Sequence, residues 1–149
     1  MKNSKPLGYM LGQTLKVYKN MTMASFKAYH IDLSFEQFIV LMLLSLEDNP
    51  NQQNIANQMQ RDKSLILRYT NTLIEKGYVV RVTDESDKRK KKLVLTPKGL
   101  KTASRIKKTQ VKVEEQLIAG INQDELNTLT RILTKIQING GFEEEQSLY

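Results

Sequence analysis

The chain has 149 residues, of which 40% are hydrophobic and 26% charged, and it carries a formal net charge of +7. That length supports one domain with a real core, and the balance of apolar to charged residues excludes a disordered or membrane-embedded chain. With no cysteine, a disulfide framework, a thiolate nucleophile, a Cys-ligated zinc and a thiol redox sensor are excluded as well. The basic excess argues for a polyanionic partner, although many basic proteins bind none.

Residues 1–20 hold no continuous apolar stretch of signal-peptide type, because Lys16 and Lys19 interrupt them. The longest apolar run, residues 38–44, falls far short of the ~20 residues that a bilayer span requires. The expected location is the cytoplasm, with no membrane association.

A first helix is predicted over residues 6–29. Pro6 suits a first helical position, and Leu7, Leu11, Leu15, Tyr18, Phe26 and Tyr29 recur at helical spacing. A second helix starts at Ser34, where Ser34 and Gln37 form a capping box and Leu33 and Phe38 a hydrophobic staple. It is apolar on most sides through Phe35, Phe38, Ile39, Met42, Leu43 and Leu46, which puts it at the heart of the core. Asp48, Asn49 and Pro50 end it. Asn51 caps a short third helix whose Ile55, Ala56 and Met59 point inward. Gln60 and Arg61 make a tight connection. Asp62 is placed to cap a fourth helix, which runs to Lys76 and closes at a left-handed Gly77. Two short helices joined in this way match a helix-turn-helix.

Residues 78–83 and 92–96 are rich in strand formers, and residues 84–91 between them are polar or charged. A helix-turn-helix followed at once by such a hairpin is a winged helix. Thr96 as cap and Pro97 at the first position then open a long helix. Leu100, Ala103, Ile106, Val113 and Leu117 mark its apolar face, and Gly120 ends it. Asn122 and Glu125 cap a last helix, whose stripe is Leu126, Leu129, Leu133 and Ile136; Gly140 and Gly141 terminate it, and residues 142–149 form an acidic tail. The expected fold is mainly α with a small β-wing. An N-terminal helix occupies 1–33, a winged helix-turn-helix 34–96 and C-terminal helices 97–141. Apolar stripes on terminal helices with no further layer to cover them point to a partner, and a symmetric dimer satisfies them most simply.

On the fourth helix Ile66, Tyr69, Thr70 and Leu73 face inward. That leaves Lys63 at its start and the stripe Ser64, Leu67, Arg68 and Asn71 facing out. In the major groove of double-stranded DNA, Arg68 would pair with guanine, Asn71 with adenine, and Leu67 would touch thymine methyls. An ordinary solvated face would carry the same residues. The hairpin favours DNA. Its run Lys88, Arg89, Lys90, Lys91 and Lys92 is placed to neutralise phosphates, with Arg89 suited to a narrow minor groove; the alternative is a solvated charge run. Asp87 is expected to pair with Arg81 on the preceding strand and so hold the hairpin tip in one shape. Tyr18, Met21, Met23, Phe26, Tyr29 and His30 either line an apolar pocket for a small-molecule effector or pack in the core. No Gly-rich phosphate loop and no Ser-His-Asp set is evident, and His30 is the only histidine. No catalysis, no metal and no cofactor are expected.

The stretch Leu73-Ile74-Glu75-Lys76-Gly77-Tyr78-Val79-Val80-Arg81, then Asp87-Lys88-Arg89, then Leu93-Val94-Leu95-Thr96-Pro97-Lys98-Gly99 resembles the core pattern of the MarR family. Its elements are a Leu-x-x-x-Gly helix end, an Arg on the first wing strand, an Asp-x-Arg at the wing and a Leu-Thr-x-x-Gly entry to the next helix. The resemblance implies a homodimer joined by its terminal helices, with Arg89 of each wing in a minor groove and the recognition helices in successive major grooves. It also implies a transcription regulator, commonly a repressor that a small molecule releases from DNA. In one respect the sequence departs from the family. Leu65 and Leu67 stand where members often have Thr or Ser, so hydroxyl contacts are lost and apolar surface is left near the groove. A weaker or thymine-rich DNA site follows, or an adaptor that docks a protein there and binds DNA weakly. An RNA-binding winged helix is a third reading.

Overall fold

The structure, a computed structural model, describes residues 5–46 and 50–142. Its elements are α1 (Leu7–Ala28), α2 (Phe35–Leu46), α3 (Gln52–Met59), α4 (Lys63–Glu75), β1 (Val79–Thr83), β2 (Lys91–Leu95), α5 (Pro97–Leu117) and α6 (Gln123–Asn139). The chain is thus mainly helical with one small antiparallel wing, as its sequence leads one to expect. None of these helices is long and apolar enough to cross a membrane. Asp48, Asn49 and residues 143–149 of the acidic tail lie outside the described residues.

The chain divides into two units, Met1–Val113 and Glu114–Tyr149. In the first, short-range polar contacts set the helix ends. Ser34 Oγ accepts the Gln37 N–H at 3.1 Å, and Gln37 Oε1 accepts the Ser34 N–H at 3.0 Å. Asn51 and Asn54 form the same reciprocal pair at the start of α3. Gln60 takes the left-handed conformation, with φ 49°, to turn the chain toward α4. Asp62 occupies the N-cap position of α4, but its exposed carboxylate accepts no backbone N–H. Its main-chain carbonyl serves Leu65 and Ile66 instead. The side-chain cap expected there is absent.

The core of this unit is built on α2, which buries Phe38, Val40, Leu41, Leu43 and Leu44. Fully buried Phe26 from α1, Ile55 from α3, Ile66 and Leu73 from α4, Val79 from β1 and Ile106 from α5 join it. Phe38 meets Phe26 edge-on, ring centroids 5.3 Å apart, and meets Phe35 at 5.6 Å. Helices α2 and α3 pack on α4, β1 lies on α4, and β2 lies on α2. Helix α4 is therefore held on several sides. The strands pair in the register Val79↔Leu95, Arg81↔Leu93 and Thr83↔Lys91.

The junction of α4, β1 and α5 is the tightest point of the unit. Gly77 ends α4 with φ +76°, a conformation that L side chains rarely adopt. Tyr78 follows, and its carbonyl accepts the Thr96 N–H at 3.0 Å. Thr96 Oγ1 donates to the Gly77 carbonyl at 2.6 Å and accepts the Gly99 N–H at 3.0 Å. Lys98 Nζ donates to the Lys76 carbonyl at 2.7 Å and lies over the Tyr78 ring. A Cβ on Gly99 would stand 2.0 Å from the Tyr78 carbonyl oxygen. This contact fixes the rotation of α5. It turns Gly99, Thr102, Ala103, Ile106, Thr109, Gln110 and Val113 inward and leaves Leu100 57% exposed, against the inward position that spacing suggested.

The second unit contains α6. Asn122 Oδ1 accepts the Glu125 N–H and Glu125 Oε2 accepts the Asn122 N–H, both at 2.9 Å. Leu126, Leu133 and Ile136 are half-buried, whereas Leu129, Ile132 and Ile138 are exposed.

Gly99→Ala is expected to lower the stability of the chain by about 3 kcal/mol, since backbone and not a flexible side chain blocks the added methyl. Urea unfolding measures this directly. A loss below about 0.5 kcal/mol would mean that the junction is far more yielding than its geometry.

Candidate nucleic-acid interface

Helix α4 buries Ile66, Thr70 and Leu73 and half-buries Leu65 and Tyr69. The Thr70 hydroxyl, buried in the core, donates to the Ile66 carbonyl at 2.8 Å, so the inward face keeps no idle donor there. Lys63, Ser64, Leu67, Arg68 and Asn71 are all exposed. One helix thus presents the whole set to solvent, because a 3.6-residue period places them opposite the buried stripe.

The wing stands beside this stripe. Side chains alternate along β1, and Arg81 shares a face with Val79, which is buried against the core. From there its Nη2 donates to Asn71 Oδ1 on α4 at 2.6 Å. The expected pair of Arg81 with Asp87 therefore does not form, because Arg81 turns toward the helix rather than along the hairpin. Asp87 shapes the tip through its own backbone. Its Oδ1 accepts the Arg89 N–H at 3.0 Å, and its carbonyl accepts the Lys90 N–H at 2.9 Å.

A second carboxylate braces the other side of the loop. Asp84 Oδ1 accepts the Ser86 hydroxyl at 2.6 Å and the Ser86 N–H at 2.8 Å, and its Oδ2 pairs with Lys92 Nζ at 3.2 Å. These donors, Ser86 first, hold its carboxyl down at about 2. Lys91 Nζ donates to Thr83 Oγ1 at 2.8 Å. The basic run thus splits by role. Lys91 and Lys92 are engaged within the hairpin, while the exposed side chains of Lys88, Arg89 and Lys90 form no hydrogen bond or ion pair with the described residues.

The residues considered for an effector pocket differ in burial. Phe26 is fully buried in the core against Phe38, the core-packing alternative for that residue. Met21, Met23 and Tyr18 are half-buried, and Tyr29 and His30 are exposed at the end of α1. The Tyr29 carbonyl accepts from Arg105, and its hydroxyl accepts from Lys112 Nζ at 2.9 Å. A residue that the sequence reading passed over is Gln110 on α5. It is buried, and its Oε1 accepts the Tyr18 hydroxyl at 3.0 Å and the Thr22 hydroxyl at 3.4 Å. Its Nε2 is buried without a partner among the described residues. Nothing in a lone glutamine on a polar helix signals such a position.

The depressed pKa of Asp84 makes the loop acid-sensitive in a defined window. Its folded value lies below 3.8, so its contribution is complete above that pH and is lost as pH falls toward about 2. The Ser86 amide resonance should titrate with a midpoint near 2. A midpoint at the ordinary carboxylate value would show that Asp84 does not brace the loop.

The MarR family model matches residues 33–91, from two residues before α2 to the start of β2. A protein of Thauera aromatica described as regulating transcription of the hcr operon is 32% identical over 97 residues, 64% of this chain and 58% of that protein. The match therefore spans less than two thirds of that relative. Among solved structures, a MarR transcriptional regulator from Methanosarcina mazei Go1 superposes with a TM-score of 0.78 at 27% identity, covering 90% of this chain and 95% of that one. The transcriptional repressor CouR bound to a 23-mer DNA duplex superposes with a TM-score of 0.79 at 28% identity, covering 88% and 92%. Residues 33–91 thus match the MarR family in sequence, and the fold is shared with a MarR transcriptional regulator along nearly the whole chain.

Proposed function

We propose that this protein is a homodimeric transcription regulator that binds specific duplex DNA, a repressor whose hold a small molecule releases. The observation that carries this reading is the free cationic tip of Lys88, Arg89 and Lys90, on a hairpin hydrogen-bonded through Arg81 to the outward stripe of α4. Such an array suits a groove flanked by phosphates. Arg89 enters the minor groove, Lys88 and Lys90 meet phosphates, and the start of α4 with Lys63 and Ser64 lies at the backbone beside the major groove. Lys91, already bonded to Thr83, adds to the field more than to any one contact. The DNA-bound repressor CouR, at 28% identity, supports the same use of the fold.

In this reading residues 34–96 bind DNA, and residues 1–33 and 97–141 join two copies, the whole chain acting as one regulator in the cytoplasm and not as an enzyme. Leu7, Leu11 and Leu15 on α1 and, separately, Leu129, Ile132 and Ile138 on α6 are exposed, and a second copy would bury them at about 25 cal/mol per Å². The buried Nε2 of Gln110, against Tyr18 and Thr22, offers an effector one donor that water reaches poorly.

Selection from a random duplex pool, followed by affinity against salt, tests the proposal. The selected sites should be pseudo-palindromic, and log K should fall linearly with log salt. Arg89→Ala should weaken binding and flatten that slope by about 1 to 2 while the dimer persists in gel filtration. An unchanged slope would remove the wing from the interface. Negligible duplex binding at low salt would favour a protein-docking adaptor instead.

A further inference from the structure

Leu67 is 41% exposed on a helix whose inward face is already complete with Ile66, Thr70 and Leu73. Its neighbours on the outward stripe are Ser64, Arg68 and Asn71, and Lys63 opens the helix. A protein-docking groove presents contiguous apolar surface, with charge pushed to its rim. Here one apolar side chain stands inside a cationic and polar surface, and Leu65 beside it is half-buried. The complementary partner is polyanionic yet offers isolated methyl groups. Duplex DNA has this chemistry in its major groove, at the C5-methyl of thymine.

Asn71 is occupied differently. To read adenine, an asparagine accepts from N6 through Oδ1 while its amide nitrogen donates to N7. Asn71 Oδ1 already accepts Arg81 Nη2 at 2.6 Å, so one of its two lone pairs is taken and the amide is turned toward the wing. Arg68 has no such engagement among the described residues and keeps its donors for guanine O6 and N7.

We infer that α4 reads thymine methyls through Leu67, and that Asn71 is a positioning residue that ties the wing to the recognition helix rather than a reader of adenine. This inference rests on the DNA-binding reading above and deepens it by naming the base chemistry.

The test uses the full-length protein and its selected duplex, resynthesised with deoxyuridine replacing each thymidine in turn. One thymidine per half-site should prove sensitive, its replacement weakening binding about fourfold, the worth of one buried methyl. Leu67→Ser should bind the thymidine and deoxyuridine duplexes equally while keeping the wild-type salt slope. Asn71→Ala and Arg81→Ala should each weaken binding to all duplexes by a common factor, without changing preference at any base pair. The inference about Leu67 is overturned by wild-type indifference to every methyl, or by discrimination that survives Leu67→Ser. A loss in Asn71→Ala confined to one adenine overturns the positioning role. Steep salt dependence alongside either result leaves the regulator reading standing. Failure to bind any duplex sinks both.

Discussion

The contact of Gly99 with the Tyr78 carbonyl constrains the whole first unit. Backbone meets backbone there at a distance no side chain tolerates. Around it, Thr96 and Lys98 bind the carbonyls of Gly77 and Lys76, which the end of α4 would otherwise leave idle. One junction therefore sets where α4 stops, where the wing departs and how α5 is rotated. The wing has only two strands, and a hairpin of that size is marginal alone in water. Its stem gains order from Val79 and Leu93, both buried against the core, and from this junction at its base.

Beyond the stem, order in the wing is electrostatic and local. Asp84 gathers Ser86 and Lys92, Asp87 caps its own turn, and Lys91 is tied to Thr83. These contacts are exposed, and surface ion pairs add little to global stability. Their consequence is shape. Five consecutive cations repel one another, and a loop carrying them would spread without internal acceptors. The Asp84 carboxylate and the Thr83 hydroxyl engage Lys92 and Lys91, Asp87 turns the backbone at Arg89, and Lys88, Arg89 and Lys90 are left displayed together. The proposed use of that tip in a minor groove follows from this division of labour.

Much of the fold was legible because it is encoded at short range. The Ser34–Gln37 and Asn122–Glu125 capping boxes, the left-handed Gly77 and the Thr96-Pro97 helix entry each depend on residues within a few positions of one another, and each formed as read. The inward and outward faces of α4 were equally legible, since one buried stripe dictates the other. The misreadings share a different cause. Leu100 looked inward by spacing, but the approach at Gly99 rotates α5 away from it. Arg81 and Asp87 looked like partners along the hairpin, but β1 packs on α4 and brings Asn71 within reach first.

Periodicity, caps and the patterned charges of the wing, all properties of neighbours along the chain, were enough to determine the helices, the hairpin and the residues that face solvent on α4. Tertiary structure alone decided which partner each long polar side chain takes. Arginine, lysine and glutamine reach several ångströms from the backbone, so their contacts depend on which element lies alongside. Gln110 shows the limit most clearly: its place in the chain is ordinary, and only the packing of α5 against α1 makes its amide a buried group.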